Sequence, residues 1–286
     1  MYTKGFDMEI GWADQIGDFW YNISANLSDY RSKMGYLGDR RTIHADEHSN
    51  IDFRYKYYEE GSYYNEWFMY KSAGLFQTDA DLYDTGGNKY PTLTANDKAG
   101  NIKYVDLNES GTINADDKIG MGNSLPEYIY GGNISMGWKG FDFNLSFQGV
   151  GHQRVRFDPF WIQPLRAQHG SVPSLLLGNY WSQYNTPEQN LKAKYPRVTW
   201  TNTTNTYATS DYWLFNGAYF RMKNITLGYT VPTELVSKAW MKDLRCYISV
   251  NDLPAISKYP KGWDPEKFAT SDFISTSFIL GVNVKF

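Results

Sequence analysis

Apolar and polar residues alternate one by one over several long stretches of this 286-residue chain. A period of two marks a strand with one oily and one wet face. The terminal stretch 273–286, FISTSFILGVNVKF, sets Ile274, Thr276, Phe278, Leu280, Val282, Val284 and Phe286 on one side. Ser275, Ser277, Gly281, Asn283 and Lys285 fall on the other. The same alternation runs through 6–13 and 19–30, which the turn 14–18 joins as a hairpin, and through 128–138 and 141–148, joined at Lys139 and Gly140. Further strands are expected near 212–231, where Arg221 and Lys223 break the apolar phase, and at 243–251, where Leu244, Cys246, Ile248 and Val250 oppose Arg245, Tyr247, Ser249 and Asn251.

About seven strands result, and short connections alternate with long ones at 31–126 and 152–210. Short turns at one rim and long loops at the other are the asymmetry of a transmembrane β-barrel. At about 3.3 Å per residue and a tilt near 45°, roughly ten residues cross the hydrocarbon layer, and the terminal stretch is longer than that. The fold class expected is all-β, an antiparallel transmembrane barrel segment with long extracellular loops. The alternative that alternation alone does not exclude is a soluble, secreted, calcium-stabilised β-sandwich that binds glycans, with the apolar face as its core. Seven strands do not close a wide barrel, so the barrel reading requires others.

Composition narrows the functions. A net charge of −3 gives no basic footprint for nucleic acid. Aromatics reach 17%, with 24 Tyr and 10 Trp, in keeping with aromatic girdles or sugar-stacking loops. The single Cys246 allows no internal disulfide and reads as a packing residue on the apolar face of its strand. No apolar run is long enough for a membrane helix, and the amino terminus has no export-signal pattern. An exported barrel needs such a signal, so the chain is expected to be the carboxy-terminal part of a longer protein.

The strongest chemical motif is the stretch 106–117. Asp106, Asn108, Ser110, Gly111, Thr112, Ile113, Asn114 and Asp117 occupy positions 1, 3, 5, 6, 7, 8, 9 and 12 of a calcium loop. Side chains of Asp106, Asn108, Ser110 and Asp117, the Thr112 carbonyl and a water held by Asn114 supply hard oxygens, and Gly111 permits the sharp turn. Ser at position 5 and Asp at position 12 depart from the full pattern, and no helix pair flanks the loop, so a structural calcium is expected and a sensor is not. An Asx-rich turn without metal is the alternative. His44 and His48 lack a third ligand, and the acids Glu59, Glu60, Asp79 and Asp81 make no recognisable catalytic pair, so no enzyme is expected. The loop aromatics Tyr63, Tyr64, Trp67, Phe68, Phe160, Trp161, Tyr180 and Trp181 are candidates for stacking on cargo or gripping a lid protein, against the plainer role of knitting loops together.

Several stretches together resemble one family. These are 4–30, YKSAGLFQT (70–78), IKYVDLNESGTINADDKIGMGN (102–123), 128–151, AKYPR (193–197), YFRMKNITLGYTVP (219–232) and LGVNVKF (280–286). In order and spacing they resemble the carboxy-terminal barrel part of SusC/RagA-type TonB-linked outer-membrane transporters, over residues 1–286. The resemblance implies a 22-stranded barrel, a plug and a TonB-contacting segment supplied elsewhere, and a SusD-like surface lipoprotein as lid. It also implies oligosaccharide or peptide cargo, and Phe286 as a barrel-assembly signal.

Overall fold

The computed structural model describes residues 1–36, 60–157, 162–164, 172–200, 203–267 and 273–286, with the backbone of two short strands at Thr42–Ala45 and Tyr55–Tyr58. Seven strands form one antiparallel path in sequence order: Tyr2–Ile16, Phe19–Lys33, Glu127–Trp138, Phe141–His152, Tyr219–Thr230, Asp243–Asn251 and Ser277–Lys285. Short turns join the first two pairs. Gly17 takes φ +60 in the first, and Lys139 and Gly140 take φ 45 and +87 in the second. Left-handed backbone at these positions matches the right-handed twist of the flanking strands, and glycine adopts it without a Cβ clash.

Pairing carries the two faces across the whole sheet. Trp12, Ile23, Ile134, Leu145, Ile225, Val250 and Phe278 are successive cross-strand partners. One step along, the partners are Gly11, Ser24, Asn133, Ser146, Asn224, Asn251 and Ser277. A slip of one residue at any pair would mix these rows, so the register is fixed by the requirement that each face stay uniform.

Two expectations are corrected. The stretch 212–231 is not continuous: a 3-10 turn at Asp211–Trp213 and a short strand at Leu214–Asn216 precede Tyr219–Thr230. At Gly217 the backbone instead donates to the Gln153 carbonyl at 2.9 Å. Within Tyr219–Thr230, a bulge opposite Ser146 and Phe147 inserts Lys223. The extra residue shifts the phase, so Phe220 and Met222 stay on the apolar side while Arg221 stays on the polar side. The final strand begins at Ser277, because residues 273–276 lie outside the ladder and Thr276 donates its hydroxyl to the Asp252 carbonyl at 2.7 Å.

The buried apolar core is not under the sheet. One cluster holds Val155, Phe157, Ile162, Tyr207, Trp213 and Tyr259, and a second holds Ile102, Tyr104 and Ile113; all belong to the connections. The pair Arg154–Arg156 with Leu214–Asn216 supports the first, and small sheets within 31–126 support the second, built from Glu66–Tyr70 with Lys118–Asn123 and from Ser72–Leu75 with Ile102–Tyr104.

Candidate functional site: a two-faced sheet capped by loops

The apolar face of the main sheet is open. Leu280 is 80% exposed and Ile10 74%, and Met8, Trp12, Trp138, Phe141, Leu227, Ile248, Phe278 and Val282 are exposed as well. A water-soluble sandwich would cover such a face with a second sheet, since monomers rarely show large contiguous apolar patches. Among the described residues no second layer covers it, and the sandwich expectation loses its core.

The opposite face is polar and closely fitted. Arg245 makes a two-pronged contact with Asp142, at 2.9 Å through Nε and 2.6 Å through Nη2. Both prongs pass over Gly228, where a Cβ would collide with them. In the same row Trp20 covers Gly137 and Tyr247 covers Gly281, each ring occupying the space of the missing Cβ. Asn224 donates to Ser249 at 2.9 Å and Asn251 at 2.6 Å, knitting the wet face sideways. At its loop end, Arg221 is 2% exposed and pairs with Asp264 at 2.6 Å and Glu266 at 3.3 Å. Lys223 adds contacts to Asp252 and Glu266. These five charges clip the last connection to the sheet, a role that isolated charges in the sequence did not reveal.

The loops have their own clamp. Asn205, fully buried, donates to Asp97 at 2.8 Å and to the Ile102 carbonyl at 3.0 Å, and accepts from the Ile102 amide at 3.0 Å. It thus copies a strand partner and ties 93–102 to 203–210. Tyr104 donates to the Asn205 carbonyl at 2.7 Å. Burial pushes the Tyr104, Tyr207 and Tyr259 hydroxyls well above the usual phenol range.

The 106–117 stretch closes on itself. Asp106 accepts from the amides of Ser110 at 3.1 Å and Gly111 at 2.7 Å, and Asn108 from Ser110 at 3.0 Å. Buried Asp117 accepts from Leu107 at 2.9 Å and Asn114 at 2.8 Å. Gly111 sits at φ +82, and Ile113 plugs the loop into the second apolar cluster. The Ser110 hydroxyl lies 3.0 Å from the Thr112 carbonyl. The oxygens of Asp106, Asn108, Ser110, Thr112 and Asp117 belong to one small turn, a donor set that suits calcium. Asn114 instead caps the Asp116 amide at 2.8 Å. Among the described residues no three His, Cys, Asp or Glu side chains gather as a metal site; of this loop's four carboxylates, Asp106 and Asp117 stand at ligand positions, and the other donors there are amide, hydroxyl and carbonyl oxygens.

The loop aromatics divide. Trp67 and Phe68 are buried, and Trp67 donates to the Arg154 carbonyl at 2.8 Å. Trp181 covers Gly100 and its amide donates to the Tyr195 carbonyl at 2.9 Å. Tyr63, under the Lys33 ammonium at 5.0 Å, and Tyr180 are half-buried, while Tyr64 is exposed. Phe160, Trp161 and His48 lie outside the described residues, as does the His44 side chain. Asp79 and Asp81 are turn caps: Asp79 accepts from Ala99 at 2.8 Å, and Asp81 from Gln77 at 2.8 Å and Thr78 at 3.1 Å. Partial burial raises the Asp81 pKa, but the Thr78 and Gln77 amides outweigh it and leave the carboxyl below its ordinary value. Phe286 is exposed at the short-turn rim, where its carbonyl accepts from Lys242 at 2.9 Å.

No family profile matches the chain. It is 26% identical over 309 aligned residues to TonB-dependent receptor P3 of Formosa agariphila, covering 99% of this chain and 28% of that receptor. It is also 26% identical to TonB-dependent receptor SusC of Bacteroides thetaiotaomicron, over 75% of this chain and 20% of SusC. A structure of the RagAB peptide transporter matches its fold with a TM-score of 0.69 at 17% identity, over 99% of this chain and 29% of that one. The chain thus spans well under a third of the length of these relatives.

Proposed function

We propose that this chain, similar over 99% of its length to TonB-dependent receptor P3 and over 75% to SusC, and alike in fold to the RagAB transporter, forms part of the barrel wall and the surface loops of a non-enzymatic nutrient importer. The exposed face contacts lipid, and the face bearing Asn144, Asn224 and Arg245 lines an aqueous interior. The single observation that carries this is the strict separation of the two faces through seven strands, with the apolar one uncovered. Both edges of the sheet, Tyr2–Ile16 and Ser277–Lys285, have a free side on which further strands complete a 22-stranded barrel.

In this reading the long connections face outward and meet a SusD-like lid, and cargo is an oligosaccharide or a peptide. Energy arrives through TonB by a segment beyond this chain. Tyr63, Tyr64 and Tyr180 retain surface for cargo or lid, whereas Trp67 and Phe68 hold the loops together. Phe286 serves assembly from the short-turn rim. Asp106, Asn108, Ser110 and Asp117 would hold calcium through side chains and Thr112 through its carbonyl, cross-linking the turn. The test is site-directed labelling in the membrane-inserted, full-length receptor. Probes at Leu280 and Val282 are expected to report lipid, and one at Asn283 water. Equal shielding at all three positions overturns the reading.

A further inference from the structure

The apolar face is not uniformly thick. In the row Tyr229, Cys246, Val282 the middle side chain is the smallest. A hollow of about 450 Å³ opens there. Phe141 and Tyr229, with ring centroids 4.5 Å apart, form one wall, and Leu280 and Val282 the other, with Ile248 at the end. Gly228 and Gly281 also line it and contribute only backbone. Tyr247 lines it as well, but Phe141, Leu227, Tyr229, Cys246, Ile248, Leu280 and Val282 belong to the apolar face, so the hollow lies on that side.

The connection just beyond this end of the sheet has matching chemistry. It contains the turns Thr233–Val236 and Ser237–Ala239, held by buried Val236. Trp240, at φ 62, is 89% exposed, and Leu235 is exposed beside it. Lys238, Lys242 and Lys285 lie in or beside this connection; Asp243 lies 3.9 Å from Lys285, and Lys242 donates to the Phe286 carbonyl at 2.9 Å. Among the described residues Lys238 has no ion pair. Asp243 precedes Cys246 by three residues, about 10 Å along a strand. That separation suits a lipid whose phosphate is at the rim and whose chain runs inward. An exposed Trp with lysines is what the headgroup layer selects.

We propose that this hollow is a seat for one acyl chain of an anionic phospholipid, its phosphate held by Lys238 and Lys242 and its chain lying over Cys246. The inference rests on the membrane-wall reading and commits to the leaflet at the short-turn rim. The test adds dioleoylphosphatidylglycerol to the full-length receptor in detergent and reads retained lipid by native mass spectrometry. Wild type is expected to keep one lipid. Cys246→Trp, which fills the hollow, and the pair Lys238→Glu with Lys242→Glu should each lower retention by about tenfold, while Phe278→Trp, outside it, should not. Unchanged retention in Cys246→Trp, an equal loss in Phe278→Trp, or a change of oligomeric state in place of lipid loss each overturns the proposal. Should Cys246→Trp fail to assemble, maleimide labelling of wild-type Cys246 decides: protection by phosphatidylglycerol but not phosphatidylcholine supports the seat, and equal labelling removes it. Whether folded wild type needs detergent at all reports on the wall reading separately.

Discussion

Ile23 is 43% exposed on the apolar face, and its strand neighbour Asn22 is exposed on the other. In water, replacing so exposed an isoleucine by lysine changes stability by about 0.5 kcal/mol or less. In a bilayer the same change costs about 2–4 kcal/mol near the midplane and about 0–1 near the interfaces. The depth of Ile23 follows from the adjoining strand. Its apolar face runs between Lys4 and Asp14, ten residues apart and carrying Phe6, Met8, Ile10 and Trp12 between them. At about 3.3 Å per residue and a tilt near 45°, that is roughly 23 Å, close to the height of a barrel's apolar band of about 25 Å. Ile23 pairs with Trp12, inside this band. Trp12 lies about 7 Å from the middle of this band and about 5 Å from its Asp14 edge, so Ile23→Lys is expected to cost about 1–2 kcal/mol, on the order of 5- to 30-fold in the folding equilibrium. Asn22→Lys should stay within about 0.5 kcal/mol. The assay is urea-dependent folding of the complete barrel into vesicles, followed by tryptophan fluorescence and by heat-modifiable migration on gels. A loss below about 0.5 kcal/mol at Ile23, or an equal loss at Asn22, refutes the assignment of the faces.

Chelation should open the 106–117 turn. Asp106→Ala should mimic it, with faster protease cleavage between residues 100 and 120 that added calcium slows in wild type alone; cleavage indifferent to EDTA removes the metal. Arg221→Ala leaves Asp264 and Glu266 without their buried partner, a loss of about 3–5 kcal/mol by the usual cost of breaking such a pair. Hydrogen exchange should rise in residues 252–267, and exchange confined to the strand would contradict the clip. For pH, burial raises the phenol pKa values of Tyr104, Tyr207 and Tyr259 in the fold. The stability tied to them is complete below the unfolded value of about 10 and is lost as pH rises toward the folded values. Loop unfolding should thus begin above about pH 10, with tyrosinate absorbance lagging behind that of free tyrosine; titration of all tyrosines together near 10 would contradict their burial.

Both faces of the sheet were legible because alternation is a local property, and it placed six of the seven strands and the Lys139–Gly140 turn. At 212–231 it found the strand but not its start: Arg221 and Lys223 break the apolar phase there, and a broken phase alone does not separate a bulge from a strand leaving its apolar surroundings. The 106–117 turn was legible because its ligands sit at fixed spacings in one segment. The Asn205 clamp was not: Asp97 and Asn205 are 108 residues apart, and an Asn in a polar loop looks solvated until its partner is known. Trp67 and Phe68 were open to two readings because composition separates a stacking ring from a packing ring only through burial, which depends on the distant Arg154 backbone.

The bulge has a consequence for how the interior is shaped. Without Lys223 the apolar phase of Ile225 and Leu227 would continue upstream and turn Arg221 toward the lipid side, where an unpaired guanidinium is costly. With it, Arg221 points to the wet side, and Asp264 and Glu266 come down to meet it. The last connection is thereby drawn against the inner face of the sheet, while its Tyr259 packs into the loop core beside Phe157, with ring centroids 5.3 Å apart. One inserted residue therefore joins two structures with opposite solvents: a sheet whose oily side looks outward, and a set of loops whose oily side looks inward. On the membrane-wall reading, lipid covers the sheet's exposed apolar side. The loops carry their own core, around Phe157 and Trp213 and around Ile102 and Tyr104, and need no such cover.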